Sequence, residues 1–137
     1  MMKKTTILAI LFLLPVISAS PQEPGKIPAG ISLAFKAGNS SELARYLNST
    51  VELLLLDKED FYKKNVAESI LKDFFTQYPA RDFTIRHQGA KNDAQYAIGN
   101  LKTEKGSFRV YFLLKKTDQG VLIHQIRIEP DDGRSYP

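Results

Sequence analysis

Residues 27–129 are predicted to form a single α+β domain, and three observations carry that prediction. Two short helical patterns come before residue 50, and one broad apolar stripe at helical spacing runs from Val66 to Tyr78. Four long segments then follow between Arg81 and Glu129, alternating or continuously apolar and separated by turn residues. A helix with so bulky a stripe needs a sheet to bury it, and the four segments in hairpin succession supply an antiparallel meander.

Taken in order, Pro28 suits an early helical position, and Ile31, Ala34 and Phe35 recur at helical spacing until Gly38 stops the turn. Asn39 opens a second helix with Glu42 three residues on, the pattern of a capping box; Leu43 and Leu47 form its stripe and Asn48 ends it. Val51 to Leu56 reads as a buried strand: Val51, Leu53 and Leu55 share one face, while Leu54 and Leu56 make the other apolar too. Residues 57–60 form a polar turn, and a short strand around Phe61 and Tyr62 returns beside the first. Asn65 with Glu68 starts the long helix, whose stripe is Val66, Ile70, Leu71, Phe74, Phe75 and Tyr78 before Pro79 ends it. In the next strand Phe83, Ile85 and His87 share the inward face, and Gln95 to Leu101 forms the one after. Phe108, Val110, Phe112 and Leu114 then alternate with Ser107, Arg109, Tyr111 and Leu113. The last strand, Val121 to Glu129, is apolar on both sides, with Leu122, His124, Ile126 and Ile128 assigned inward.

The chain begins with Lys3 and Lys4, an unbroken apolar run from Ile7 to Val16, and small residues at Ser18, Ala19 and Ser20. These are the three regions of a secretory signal peptide over residues 1–19, cleaved after Ala19. The run is shorter than the roughly 20 apolar residues that a spanning helix needs, so no stable membrane anchor is expected after cleavage. Residues 20–26 form a mobile, proline-containing lead-in, and residues 130–137 a flexible tail. Export places the working protein in the periplasm or beyond. The absence of cysteine excludes disulfides, thiol chemistry and a lipidated N-terminal cysteine, leaving the core alone to hold the domain together. The formal charge of +4 includes Lys3 and Lys4, so the exported part is less basic, which argues against a nucleic-acid partner.

The order helix, helix, strand, strand, helix and four strands resembles the cone-shaped nuclear-transport-factor-two-like fold, of the cystatin-like α+β type. More narrowly, the chain resembles a family of uncharacterised secreted bacterial proteins with that fold. The likeness rests on Ile31 to Phe35, Leu53 to Asp57, the helix end from Ile70 to Pro79, and the strand from Phe108 to Leu114. It implies a strongly bent antiparallel sheet wrapped around the helices, with a pocket at the open end of the cone. It also implies a sheet face through which members of the fold often dimerise. Enzymes of the fold place Asp, His or Tyr in the pocket, but none of their motifs matches this chain residue by residue.

Two candidate sites follow. The first is the pocket: His87 and His124, both assigned inward, with Tyr62, Tyr78 and Tyr96 at its mouth. An imidazole there suits a general base, and a tyrosine joins an aromatic body to a hydroxyl donor. The plainer alternative is core filling and solvated histidines. No HxH or HExxH spacing occurs, and no metal site is assigned. The second site is the outer sheet face, where Arg86, Arg109 and Arg127 accompany Tyr111, Leu113 and Ile123. Arginine and tyrosine beside aliphatic groups suit a protein interface, against the alternative of a solvated face with arginines paired to acids such as Glu129.

No glycine-rich phosphate loop, GxSxG or reactive cysteine occurs, and no cofactor is expected. The sequence therefore favours a noncatalytic binding or protein-interaction domain. Its partner would be a second copy or another envelope protein on the outer face, with a small ligand in the pocket as a further possibility. The rival is a small pocket enzyme, an isomerase, dehydratase or hydrolase, with a histidine base.

Overall fold

The computed structural model describes residues 26–131. The expected leader over residues 1–19, most of the lead-in, and the tail beyond residue 131 lie outside the described residues. The elements are α1 (Ala29–Ala37), α2 (Ser40–Ala44), β1 (Leu47–Leu55), β2 (Lys58–Lys63), α3 (Lys64–Gln77), β3 (Ala80–Lys91), β4 (Ala94–Thr103), β5 (Gly106–Thr117) and β6 (Gly120–Pro130). One curved, six-stranded open sheet runs in the order β2-β1-β6-β5-β4-β3. The expected meander forms its β3–β6 part, and the β1–β2 hairpin joins through a parallel pairing of β1 with β6.

Apolar residues on one face of the sheet and on α1, α2 and α3 form a single core. From α1, Phe35 stacks on Phe83 of β3 at 4.9 Å and on Phe112 of β5 at 5.7 Å between ring centroids. From α3, Phe74 meets Phe108 edge-on at 5.1 Å, and Tyr78 stacks on Phe74 at 5.0 Å. Phe75 touches both groups, at 6.5 Å from Phe35 and 5.5 Å from Phe74. Burying each such ring contributes about 1.5–3 kcal/mol, and the pair geometries add about 0.5–1.5 kcal/mol each. This face of the sheet is the inner one, covered by the three helices.

Local signals account for several ends. The Asn39 side chain caps α2 by accepting the Glu42 N–H at 3.1 Å. Gly38 closes α1 in the left-handed conformation, with φ 62°. The β4–β5 and β5–β6 turns repeat one device. The Thr103 hydroxyl donates to the Gly106 carbonyl and accepts the Lys105 N–H, and Thr117 does the same with Gly120 and Gln119.

Other ends correct the sequence reading. α2 stops at Ala44, and Leu47 and Asn48 belong to β1, because Leu47 pairs with Ile123, whose N–H donates to the Tyr46 carbonyl at 2.6 Å. α3 starts at Lys64 with no side-chain cap, so Asn65 lies inside the helix and its capping box does not form. The buried positions of α3 are Ala67, Leu71, Phe74 and Phe75, while Val66 is 43% exposed. Pro130 and Asp131, expected to fray, are tied down: Pro130 pairs with Phe108, and the Asp131 N–H donates to the Ser107 carbonyl at 3.0 Å.

Candidate functional site

Two of the register shifts in the sheet, one within β3 and one within β6, set which side chains reach its outer face, and strict alternation could not foresee them. In β3, Ile85 pairs with Gly99 but His87 pairs with Ile98, leaving Arg86 as the extra residue. One extra residue reverses every later side chain. His87 therefore lies on the outer face, not the inward face assigned to it with Phe83 and Ile85. In β6, Gln125 pairs with Leu113 but Ile123 pairs with Leu114, so His124 is the extra residue. Ile123 turns inward and is fully buried, which removes it from the expected interface set. Leu122, assigned inward, pairs instead with the outward Lys115.

With these corrections two complete rows cross the outer face. The first runs Glu59, Leu54, Arg127, Tyr111, Ile98, His87 from β2 to β3. The second runs Phe61, Glu52, Gln125, Leu113, Tyr96, Gly89. Tyr96 links them: its hydroxyl hydrogen-bonds His87 Nε2 at 3.0 Å, and its ring lies 6.4 Å from that of Tyr111 at a 27° tilt. Gly89 makes room for it, since a Cβ there would come within 2.7 Å of the tyrosine hydroxyl oxygen. Burial raises the pKa of the Tyr111 hydroxyl, with nearby Arg127 pulling it down and Tyr96 adding to the rise. Polar side chains frame the centre. Gln125 Nε2 donates to Glu52 Oε1 at 3.0 Å, Arg127 Nε to Glu129 Oε1 at 3.3 Å, and Asn100 Nδ2 to Asp131 Oδ2 at 2.8 Å.

Of the expected interface set, Arg109, Tyr111, Leu113 and Arg127 lie half-buried on this face, and Arg86 is the exposed bulge residue. The residues missed were Leu54, Ile98 and above all Phe61, which is 66% exposed on the edge strand. The apolar second face of the first strand was the available signal for Leu54. Phe61, set among acids and lysines, is legible only once its pairing with Glu52 is known.

The five expected pocket residues are not brought together. Tyr62 pairs with buried Val51 and packs against the core from β2. Tyr78 is stacked into the aromatic cluster at the end of α3. His87 and Tyr96 sit on the opposite side of the sheet, and His124 Nδ1 hydrogen-bonds the Leu122 carbonyl oxygen at 3.0 Å. Among the described residues, no three His, Asp or Glu side chains are grouped to hold a metal ion. No helix among them is long and apolar enough to cross a membrane.

Residues 28–129 match the family described as Domain of unknown function (DUF4783). The chain belongs to that family. A DUF4783 family protein from Bacteroides ovatus, solved by crystallography, is 39% identical, with 77% of this chain and 96% of that one aligned at a TM-score of 0.75. Another from Bacteroides uniformis is 37% identical, covering 78% of this chain and 99% of that one at a TM-score of 0.74. The wider fold is that of an NTF2-like protein of unknown function from Shewanella baltica, 14% identical over 77% of this chain and 88% of that one, with a TM-score of 0.56. These likenesses bear out the expected family and nuclear-transport-factor-two-like architecture. No curated protein matches the chain.

Proposed function

We propose that this member of the DUF4783 family is an exported, noncatalytic protein-interaction domain that works through the outer sheet face. The observation supporting this reading is the pair of rows centred on Leu54, Tyr111, Ile98, Leu113 and Tyr96. They form an aromatic and aliphatic strip with polar margins, on the face opposite the helices. Tyrosine and arginine beside apolar groups are the chemistry of protein contacts.

The occupant is a second copy of the chain. Charge on the face divides between its halves: Glu52, Glu59 and Glu129 lie on the β2–β1–β6 side, with Lys63 and Arg127. Arg109, Lys102, Lys115 and Lys91, with Asp82, lie on the β5–β4–β3 side. A face with a more acidic and a more basic half complements itself when two copies meet with the halves reversed.

Analytical ultracentrifugation tests the reading. The wild type should self-associate, and Arg109→Glu with Tyr111→Ala should weaken association while leaving thermal unfolding cooperative. A wild type that stays monomeric at high concentration and captures nothing from an envelope extract would overturn it. Export is tested separately by the mass of the protein recovered from the cell envelope, which should lack the residues before about Ser20.

A further inference from the structure

The sheet has two edge strands, β2 and β3, whose outward backbone groups offer a template for a further strand. In β3 that template is broken by the extra residue Arg86. β2 pairs with β1 without a register shift, so its six residues form a regular edge. One hydrogen bond fixes which of its backbone groups face outward. The Leu56 N–H donates to the Ile128 carbonyl at 2.8 Å, so the alternate β1 residues Leu54 and Glu52 also turn their backbone groups toward β6. Their partners on β2, Glu59 and Phe61, therefore turn theirs to the free edge.

The Phe61 N–H on that edge is already engaged: it donates to Asp60 Oδ1 at 2.8 Å. We propose that Asp60 is an edge guard, whose carboxylate holds the Phe61 N–H and so keeps β2 of a second copy from extending the sheet. Without it, little else opposes that pairing. Two β2 edges meeting antiparallel about a two-fold axis at Phe61 set Phe61 opposite Phe61, and Glu59 opposite Lys63 of the other copy. The exposed ring gains an apolar neighbour and the charges are of opposite sign, so the side chains favour the contact. Its central bonds are the two that the Phe61 residues exchange, N–H to carbonyl in each direction. With Asp60 in place, the incoming carbonyl meets an anionic oxygen where it needs a donor. The edge is separate from the outer face, so the guard stands or falls independently of the proposed function.

Sedimentation of a parent chain carrying Arg109→Glu and Tyr111→Ala, which weaken contact through the outer face, reads the edge by itself. Adding Asp60→Ala should tighten association about tenfold, the scale of two freed backbone hydrogen bonds. Asp60→Asn keeps an acceptor for the Phe61 N–H and should stay near the parent. Phe61→Pro placed on Asp60→Ala removes the N–H and should return association to the parent level, since proline is accepted on an edge strand whose N–H faces away from its neighbour. Amide exchange at Phe61 in the Asp60→Ala chain should slow as its concentration rises. No gain from Asp60→Ala, an equal gain from Asp60→Asn, or a gain that survives Phe61→Pro overturns the proposal. If the proline variant loses cooperative unfolding, exchange decides in its place, and a Phe61 amide that does not slow with concentration overturns the guard.

Discussion

Tyr111 and Phe112 are consecutive residues of one strand, yet they belong to two different chemical worlds. Phe112 is fully buried between Phe35 and the surrounding strands, in a face sealed by three helices. Tyr111 is half-buried among Arg127, Ile98 and Tyr96 on a face that no described helix packs against. The inner face holds the fold together through close packing of large apolar groups. The outer face keeps apolar surface in hand, with hydroxyls, amides and ion pairs at its edges. Packing of the core and the proposed contact surface thus fall on alternate residues of the same strands, so substitutions should sort by the face on which a side chain lies.

The largest expected effect lies on the inner face. Phe112→Ala or Phe74→Ala should each cost about 3–5 kcal/mol in denaturant unfolding, since both rings leave cavities in a packed cluster. A near-zero cost at both would erase the contrast between the faces. Ile123→Ala against Leu113→Ala sharpens it further, because the sequence alone would have placed both outside. The buried isoleucine should lose about 2–5 kcal/mol and the outer leucine about 1 kcal/mol or less.

Two glycines offer a matched pair of smaller effects. A Cβ at Gly99 would sit 2.4 Å from the Phe83 ring inside the core, whereas at Gly89 it would meet Tyr96 on the outer face. Gly99→Ala should therefore cost about 1–3 kcal/mol, as overpacking does. Gly89→Ala should cost less, because the Tyr96 ring can swing outward, but it should weaken self-association measured by sedimentation.

The smallest effect is in the alkaline limb of stability. Burial raises the Tyr111 pKa above its ordinary value near 10, so the folded state holds that proton more tightly than the unfolded chain. The resulting stability is fully present below the unfolded pKa and is lost as pH rises through the folded one. Tyr111→Phe should flatten the fall in unfolding free energy above about pH 10. Ultraviolet titration should show one phenol fewer in the late-ionising group.

The order of elements was legible in the sequence because period 3.6 and period 2 are local properties of the chain. Ile31, Ala34 and Phe35 announced α1, and Phe108 to Leu114 announced both β5 and its buried face. Asn39 with Glu42 announced the cap that forms, while Asn65 with Glu68 copied the pattern where β2 runs straight into α3. No local signal separates those two cases.

What only the tertiary structure decided was which way side chains point beyond the bulges. Arg86 and His124 are extra residues solely because their neighbouring strands count one residue fewer, a relation between distant segments that neither segment records. That single residue in each strand moved His87 out to Tyr96 and Ile123 into the core. The parallel joining of β1 to β6 had the same origin. Short-range periodicity specifies which segments are strands, but their partners and register come from burying one apolar face against three helices. The sequence by itself thus determined the family, the elements and the core face of β5. Pairing across the sheet assembled the outer rows from His87 to Glu59 and from Gly89 to Phe61.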